Sequence, residues 1–106
     1  MKVVWTNGCF DVLHRGHIEM LKFARSLGDK LIVGLDTDEK VKLSKGENRP
    51  FNNLEDREMM VRSIRYVDDT VSFDSQNELE NLIKTIKPDI LFVSIVTGKQ
   101  YHQHIV

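Results

Sequence analysis

Short apolar runs alternate with amphipathic stretches along the 106 residues. Val3, Val4 and Trp5 lie in a run from Lys2 to Thr6 that reads as a buried strand. Ile18, Leu21, Ala24 and Leu27 then recur at helical spacing, with Gly28 placed to cap that helix. Lys30–Leu35 reads as a second strand, ending at Asp36-Thr37-Asp38. Lys40–Asn53 is polar and holds Gly46 and Pro50, so it reads as a mobile loop with a short helical turn at its start. Leu54–Tyr66 has a helical period that points Met60, Val61 and Ile64 inward. Thr70–Phe73 is a third strand. Leu79, Leu82, Ile83 and Ile86 mark a further helix, stopped by Lys87-Pro88-Asp89, and Ile90–Val93 is a fourth strand.

Strands alternating with helices predict an α/β fold with a parallel sheet and right-handed crossovers. Ligands in such sheets sit beyond the carboxyl ends of the strands. The length predicts a single domain over residues 1–106, without internal repeats or linkers. A formal net charge of −1 with mixed signs leaves no basic stripe for nucleic acid. No apolar run is long enough to span a bilayer, and the chain enters a strand at once, without a signal peptide. The single cysteine excludes an internal disulfide and fits a cytoplasmic setting. A chain this short buries a modest core, so a homodimer is expected.

One segment carries chemistry. Thr6-Asn7-Gly8-Cys9-Phe10-Asp11-Val12-Leu13-His14-Arg15-Gly16-His17 spans the handover from the first strand to the first helix. That junction presents unpaired backbone N–H groups and the positive end of a helix dipole, which suit a phosphate. His14 and His17, three apart on the first helical turn, point the same way. Gly8 and Gly16 have a steric reading, since a side chain at either place would hold a ligand off the backbone; each also suits a plain turn. No GxGxxG or GxxxxGK[ST] pattern is present, and no His, Cys and carboxylate set shows metal-cage spacing. His102 and His104 read as part of a solvated tail.

Gly8-Cys9-Phe10-Asp11 followed by His14-Arg15-Gly16-His17 resembles the HxGH nucleotidyltransferase superfamily, in its cytidylyltransferase-like branch. That resemblance implies a Rossmann-like three-layer α/β/α fold. It also implies transfer of a nucleotidyl group from CTP or ATP to a phosphorylated small molecule, with release of pyrophosphate. By the same resemblance, His14 and His17 act as catalytic residues that grip the triphosphate and stabilise the α-phosphorus. Gly8, Cys9, Phe10 and Gly16 face the nucleotide, although Phe10 suits the core equally well. Asn7, Asp11 and Asp38 are assigned to the acceptor, and Asp11 suits a turn-capping role too. A nucleophilic Cys9 is not required, because the substrate phosphate is itself the nucleophile.

Lys45-Gly46-Glu47-Asn48-Arg49-Pro50 and Leu54-Glu55-Asp56-Arg57 resemble the family's K-G-x-x-R-P segment and the arginine that follows it. The resemblance gives Lys45 a catalytic role in neutralising phosphate charge, with Lys42 as competitor, and places Arg57 at the nucleotide. Arg65-Tyr66-Val67-Asp68 is similar to an R-x-V-D element in which the arginine supports structure or a dimer. Magnesium is expected to ride on the nucleotide phosphates, which needs few protein ligands. The K-G-x-x-R-P segment and Lys87–Leu91 look most like sugar-phosphate adenylyltransferases acting on heptose 1-phosphate. Trp5–His17 and Asp36–Glu39 look equally like glycerol-3-phosphate cytidylyltransferases. A nucleotide-binding remnant without turnover is the alternative, because the resemblance degrades after residue 93 and the family's later strand and serine/threonine-rich segment are not recognised.

Overall fold

The computed structural model describes residues 1–94 and 101–105. Its elements run β1 (Val3–Gly8), α1 (Arg15–Ser26), β2 (Lys30–Asp36), α2 (Asp38–Lys45), α3 (Leu54–Arg62), β3 (Asp69–Phe73), α4 (Gln76–Ile86), β4 (Ile90–Ser94) and β5 (Tyr101–Ile105). The sheet order is β3-β2-β1-β4-β5, with β1 to β4 parallel and β5 antiparallel to β4. The chain moves outward from β1 to β3 and then returns to the other side of β1. That reversal places a switch point at the carboxyl end of β1, where open α/β sheets hold ligands.

Alternation of side chains divides the core between the two sheet faces. Val4, Leu31, Val33, Leu35, Ile90 and Phe92 pack with Met20, Leu21 and Ala24 of α1 and Val61 of α3. Trp5, Ile32 and Phe73 pack with Leu79 of α4, joined by Leu82, Ile83 and Ile86. The result is the three-layer α/β/α arrangement, with helices changing face where the strand order reverses, as right-handed crossovers require. Gly34 makes room for Trp5: a Cβ there would lie 2.5 Å from the indole ring.

Several expectations need correction. The polar stretch after Asp36 is not all loop, because α2 is a capped helix of eight residues. Thr37 accepts from the Lys40 amide, Asp38 and Glu39 complement the helix dipole, and Val41 is buried. Only one residue of that helix enters the core, so no apolar stripe announces it. The helix from Leu54 ends at Arg62, and Met60 points outward, 57% exposed. Gly28 does not cap α1 in a left-handed turn. A Cβ there would lie 2.7 Å from the Lys2 carbonyl oxygen, so close packing against β1 is what demands glycine. The helix before Pro88 ends on Lys87 at φ 51°. The 101–105 stretch is not a solvated tail but pairs as an edge strand, Tyr101 opposite Ser94 and Ile105 opposite Ile90. The atypical turn read at Ser94–Lys99 lies, beyond Ser94, outside the described residues.

Candidate active site

The junction after β1 folds around two imidazoles that cap their own helix. His14 is the N-cap of α1, and its Nδ1 accepts from the Gly16 amide at 3.0 Å. His17 reaches back, its Nδ1 accepting from the His14 amide at 3.2 Å. This is the reciprocal logic of a capping box, made here with imidazoles. A neutral imidazole that accepts at Nδ1 carries its proton on Nε2. Both histidines therefore present an Nε2–H donor at the ring edge away from the helix, with no protein partner among the described residues. The ring centroids are 4.0 Å apart. Burial, then the neighbouring His14 and Lys45, lower the pKa of His17 below its ordinary value, which favours the neutral donor form.

The glycines serve these rings. A Cβ on Gly16 would stand 2.7 Å from His14 Cε1, and one on Gly8 would stand 3.1 Å from the Phe10 ring. Phe10 takes φ 52°, a strained setting for an aromatic residue, and is buried against Gly8 and His17. It is both core residue and cavity floor.

A cavity of about 420 Å³ opens over this turn. Its walls include Asn7, Gly8, Cys9, Phe10, His14 and His17, and its far rim carries Asp36, Lys45 and Arg49. The two rings thus face open space, not the hydrophobic interior. Lys45 is the last residue of α2, where Gly46 at φ 106° turns the chain away in a conformation that favours glycine. Lys45 has no ion-pair partner among the described residues and lines the cavity, whereas Lys42 does not. Burial pushes the Cys9 thiol up despite the opposing pull of Lys45 and Arg57, which argues against a thiolate nucleophile.

Three assigned residues are held by bonds within the protein, and one of them, Asp11, also lines the cavity. Arg57 is fully buried; it donates to the carbonyls of Cys9, Asp36 and Asn52 and to Asp38 Oδ1 at 2.7 Å. These four hydrogen bonds of Arg57 tie the ends of β1 and β2 to the start of α3. Asp38, assigned to the acceptor, is its ion-pair partner and does not line the cavity. Asp11, also assigned to the acceptor, is buried and accepts from the amides of Phe51 and Asn52 and from Arg49 Nε. Burial alone would raise its pKa, but those hydrogen bonds and the Arg49 charge hold the carboxyl below its ordinary value. Asn7 lines the cavity with its Oδ1 accepting from Trp5 Nε1.

Asp36, which the Asp36–Glu39 resemblance had included without a role, reaches the cavity, and Lys40 stands 3.5 Å from its carboxylate. Its position at the last residue of β2, level with the end of β1, was the available signal. In the R-x-V-D element the tied residue is Asp68, which accepts from the Leu31 amide and pairs with Arg25, while Arg65 is exposed. Among the described residues no group of three or more His, Cys, Asp or Glu could hold a metal ion, and no helix is long and apolar enough to cross a membrane.

Paired imidazoles and a lysine thus share one cavity at the end of β1 in an open α/β sheet. The chain belongs to the cytidylyltransferase-like family, whose model matches residues 5–105, and this places it among the nucleotidyltransferases. The match runs past residue 93, where the resemblance had been expected to fade. The chain is 54% identical over 99 residues to the bifunctional protein HldE of Campylobacter fetus, covering 93% of this chain and 20% of that protein. It is 52% identical over 101 residues to HldE of Helicobacter hepaticus, covering 95% of this chain and 20% of that one. The chain thus spans about a fifth of the length of these relatives. A lipopolysaccharide core biosynthesis protein from Thermoplasma volcanium has a similar fold, with TM-score 0.77 and 28% identity over 86% of this chain and 72% of that one.

Proposed function

We propose that this domain transfers a nucleotidyl group from a nucleoside triphosphate, with ATP as donor, to the phosphate of a phosphorylated sugar. The observation that carries the reading is the pair of Nε2–H donors, fixed by backbone capping and facing a cavity that also holds Lys45. An acceptor phosphate oxygen attacks the α-phosphorus, the bond to the β-phosphate oxygen breaks, and pyrophosphate leaves. No covalent help from the protein is needed. The site has to bring two anions together and meet the charge that grows on the phosphoryl oxygens. His14 and His17 donate to those oxygens without carrying charges that would have to be desolvated, and Lys45 offsets the triphosphate charge. Magnesium fits as an ion carried by the phosphates, with Asp36 the cavity carboxylate nearest in role to a ligand.

A sugar phosphate is favoured because the segment carrying that resemblance, Lys45 to Pro50, contributes Lys45 and Arg49 to the cavity. A structural neighbour of the domain is a lipopolysaccharide core biosynthesis protein, which points the same way. CTP with glycerol 3-phosphate is the second reading, favoured by the similarity of Trp5–His17 and Asp36–Glu39. A homodimer and a cytoplasmic location belong to the same proposal. Val12, Met59 and Met60 are exposed side by side around a hollow of about 440 Å³ that a second copy would cover.

Pyrophosphate release, measured with magnesium and ATP or CTP against sugar 1-phosphates and glycerol 3-phosphate, tests the reading. Turnover with ATP and a sugar phosphate is the expected result. Preference for CTP and glycerol 3-phosphate would favour the second reading. Nucleotide binding with silence in every pairing would make the domain a binding remnant.

A further inference from the structure

We propose that Arg49 binds a substrate phosphate in this site and that Asp11 is the residue that positions it. The inference rests on the reading of the cavity as a site for phosphorylated substrates and names a group that reading does not use. Arg49 lines the same cavity as His14, His17 and Lys45. Its Nε donates to Asp11 Oδ2 at 3.2 Å, and its guanidinium carbon lies 4.5 Å from the centre of the Phe51 ring. The two contacts fix one edge and one face of the planar group. Both Nη atoms remain without a partner among the described residues, on a side chain that is still one-third exposed.

A guanidinium held in this way offers its Nη pair as a ready fork for two phosphate oxygens, and little rotamer freedom is lost when it binds. Asp11 suits the positioning role because its own needs are met. Its carboxylate accepts at 2.7 Å from the Phe51 amide and at 2.8 Å from the Asn52 amide, while Asn52 Nδ2 donates to the Asp11 carbonyl. The side chain is 3% exposed, although the residue borders the cavity. Asp11 therefore fastens the segment after α2 to the turn after β1 and aims Arg49 as it does so. Contrast Lys42, an exposed cation of the neighbouring helix that does not line the cavity.

The phosphate in question comes from either the nucleotide or the acceptor, and kinetics separate the two. Arg49→Gln is expected to raise the KM for one of the two substrates about tenfold to a hundredfold, the range for losing charge-assisted hydrogen bonds. The substrate affected identifies the source. Arg49→Lys should recover only part of the loss, because a point charge does not replace the fork. Asp11→Asn should raise the same KM, and the double variant should be no worse than Arg49→Gln, as expected for a residue acting through another. Lys42→Gln, with the same change of charge, should leave both KM values unchanged. Binding of inorganic tripolyphosphate is measured alongside. If no pairing releases pyrophosphate but Arg49→Gln weakens tripolyphosphate, Arg49 is a phosphate ligand and the proposed reaction fails separately. If Arg49→Gln leaves both KM values and the tripolyphosphate affinity within about twofold, the proposal is overturned. It is overturned too if Lys42→Gln has the same effect as Arg49→Gln.

Discussion

His14 and His17 each spend Nδ1 on a backbone amide of their own helical turn, and their rings lie 4.0 Å apart, centroid to centroid. Capping and substrate donation are thereby assigned to different nitrogens of the same ring. His17→Ala should cost about 1 kcal/mol of stability, the range for losing a helix cap. Its turnover should fall further, about a hundredfold or more, as when a preorganised donor is removed. Denaturant unfolding and pyrophosphate release measured on the same preparation check both numbers. A loss of turnover fully explained by unfolding would contradict the donor role.

The burial of His17 beside His14 and Lys45 has a consequence for pH. His17 is held below its ordinary pKa, so the folded chain binds fewer protons at this site than the unfolded chain does. As pH falls through about 6.5, the unfolded state protonates first. The stability contributed by neutral His17 is complete above that value and is lost as pH falls through the lower folded pKa. Asp11 has the same sign further into acid, its contribution being present above about 3.9 and lost below it. Thermal unfolding between pH 5 and 8 should therefore show falling stability on the acid side, and His17→Asn should flatten that dependence.

Arg57 is the residue whose removal should unfold the chain. Alanine there leaves the carbonyls of Cys9, Asp36 and Asn52 and the Asp38 carboxylate without their shared donor. The expected cost is about 3–5 kcal/mol, a large part of the roughly 5–15 kcal/mol that holds a domain folded. Urea titration measures it. A variant as stable as the parent, with nucleotide affinity selectively lost, would return Arg57 to the ligand.

Gly16→Ala sets two effects against each other. Alanine is better than glycine in a helix by about 1 kcal/mol, yet its Cβ would meet His14 Cε1 at 2.7 Å. Stability should change by less than about 1 kcal/mol, because the His14 ring can swing aside at the loss of one cap. Nucleotide affinity should drop about tenfold as the donor moves. Calorimetric titration and thermal unfolding separate the two.

Much of the fold was legible because its period-setting residues are clean. Val4 and Trp5, Leu31 to Val33, and Ile90 mark strands, while Leu21 with Ala24 and Leu79 with Ile83 mark helices. What escaped had a physical cause. Helix α2 buries only Val41, so it leaves no stripe to read. Met60 sits at an inward spacing, but Arg57 and Val61 are the buried residues of α3 and Met60 borders a surface hollow. Strand β5 pairs along an edge, where backbone bonds do the holding and composition says little. Around the cavity, the motif segments supply Gly8, His14, His17 and Lys45. The bonds that hold Arg57, Asp38 and Asp11 were not legible, since they join residues 19 to 48 apart in sequence.

Imidazole nitrogen resonances, followed by NMR at neutral pH while ATP and magnesium are added, test the central claim most directly. The account predicts neutral rings protonated at Nε2 in the free protein for both His14 and His17, with the two Nε2 signals shifting on saturation and Nδ1 little changed. Rings protonated at Nδ1 in the free protein, or Nε2 signals indifferent to bound nucleotide, would contradict it.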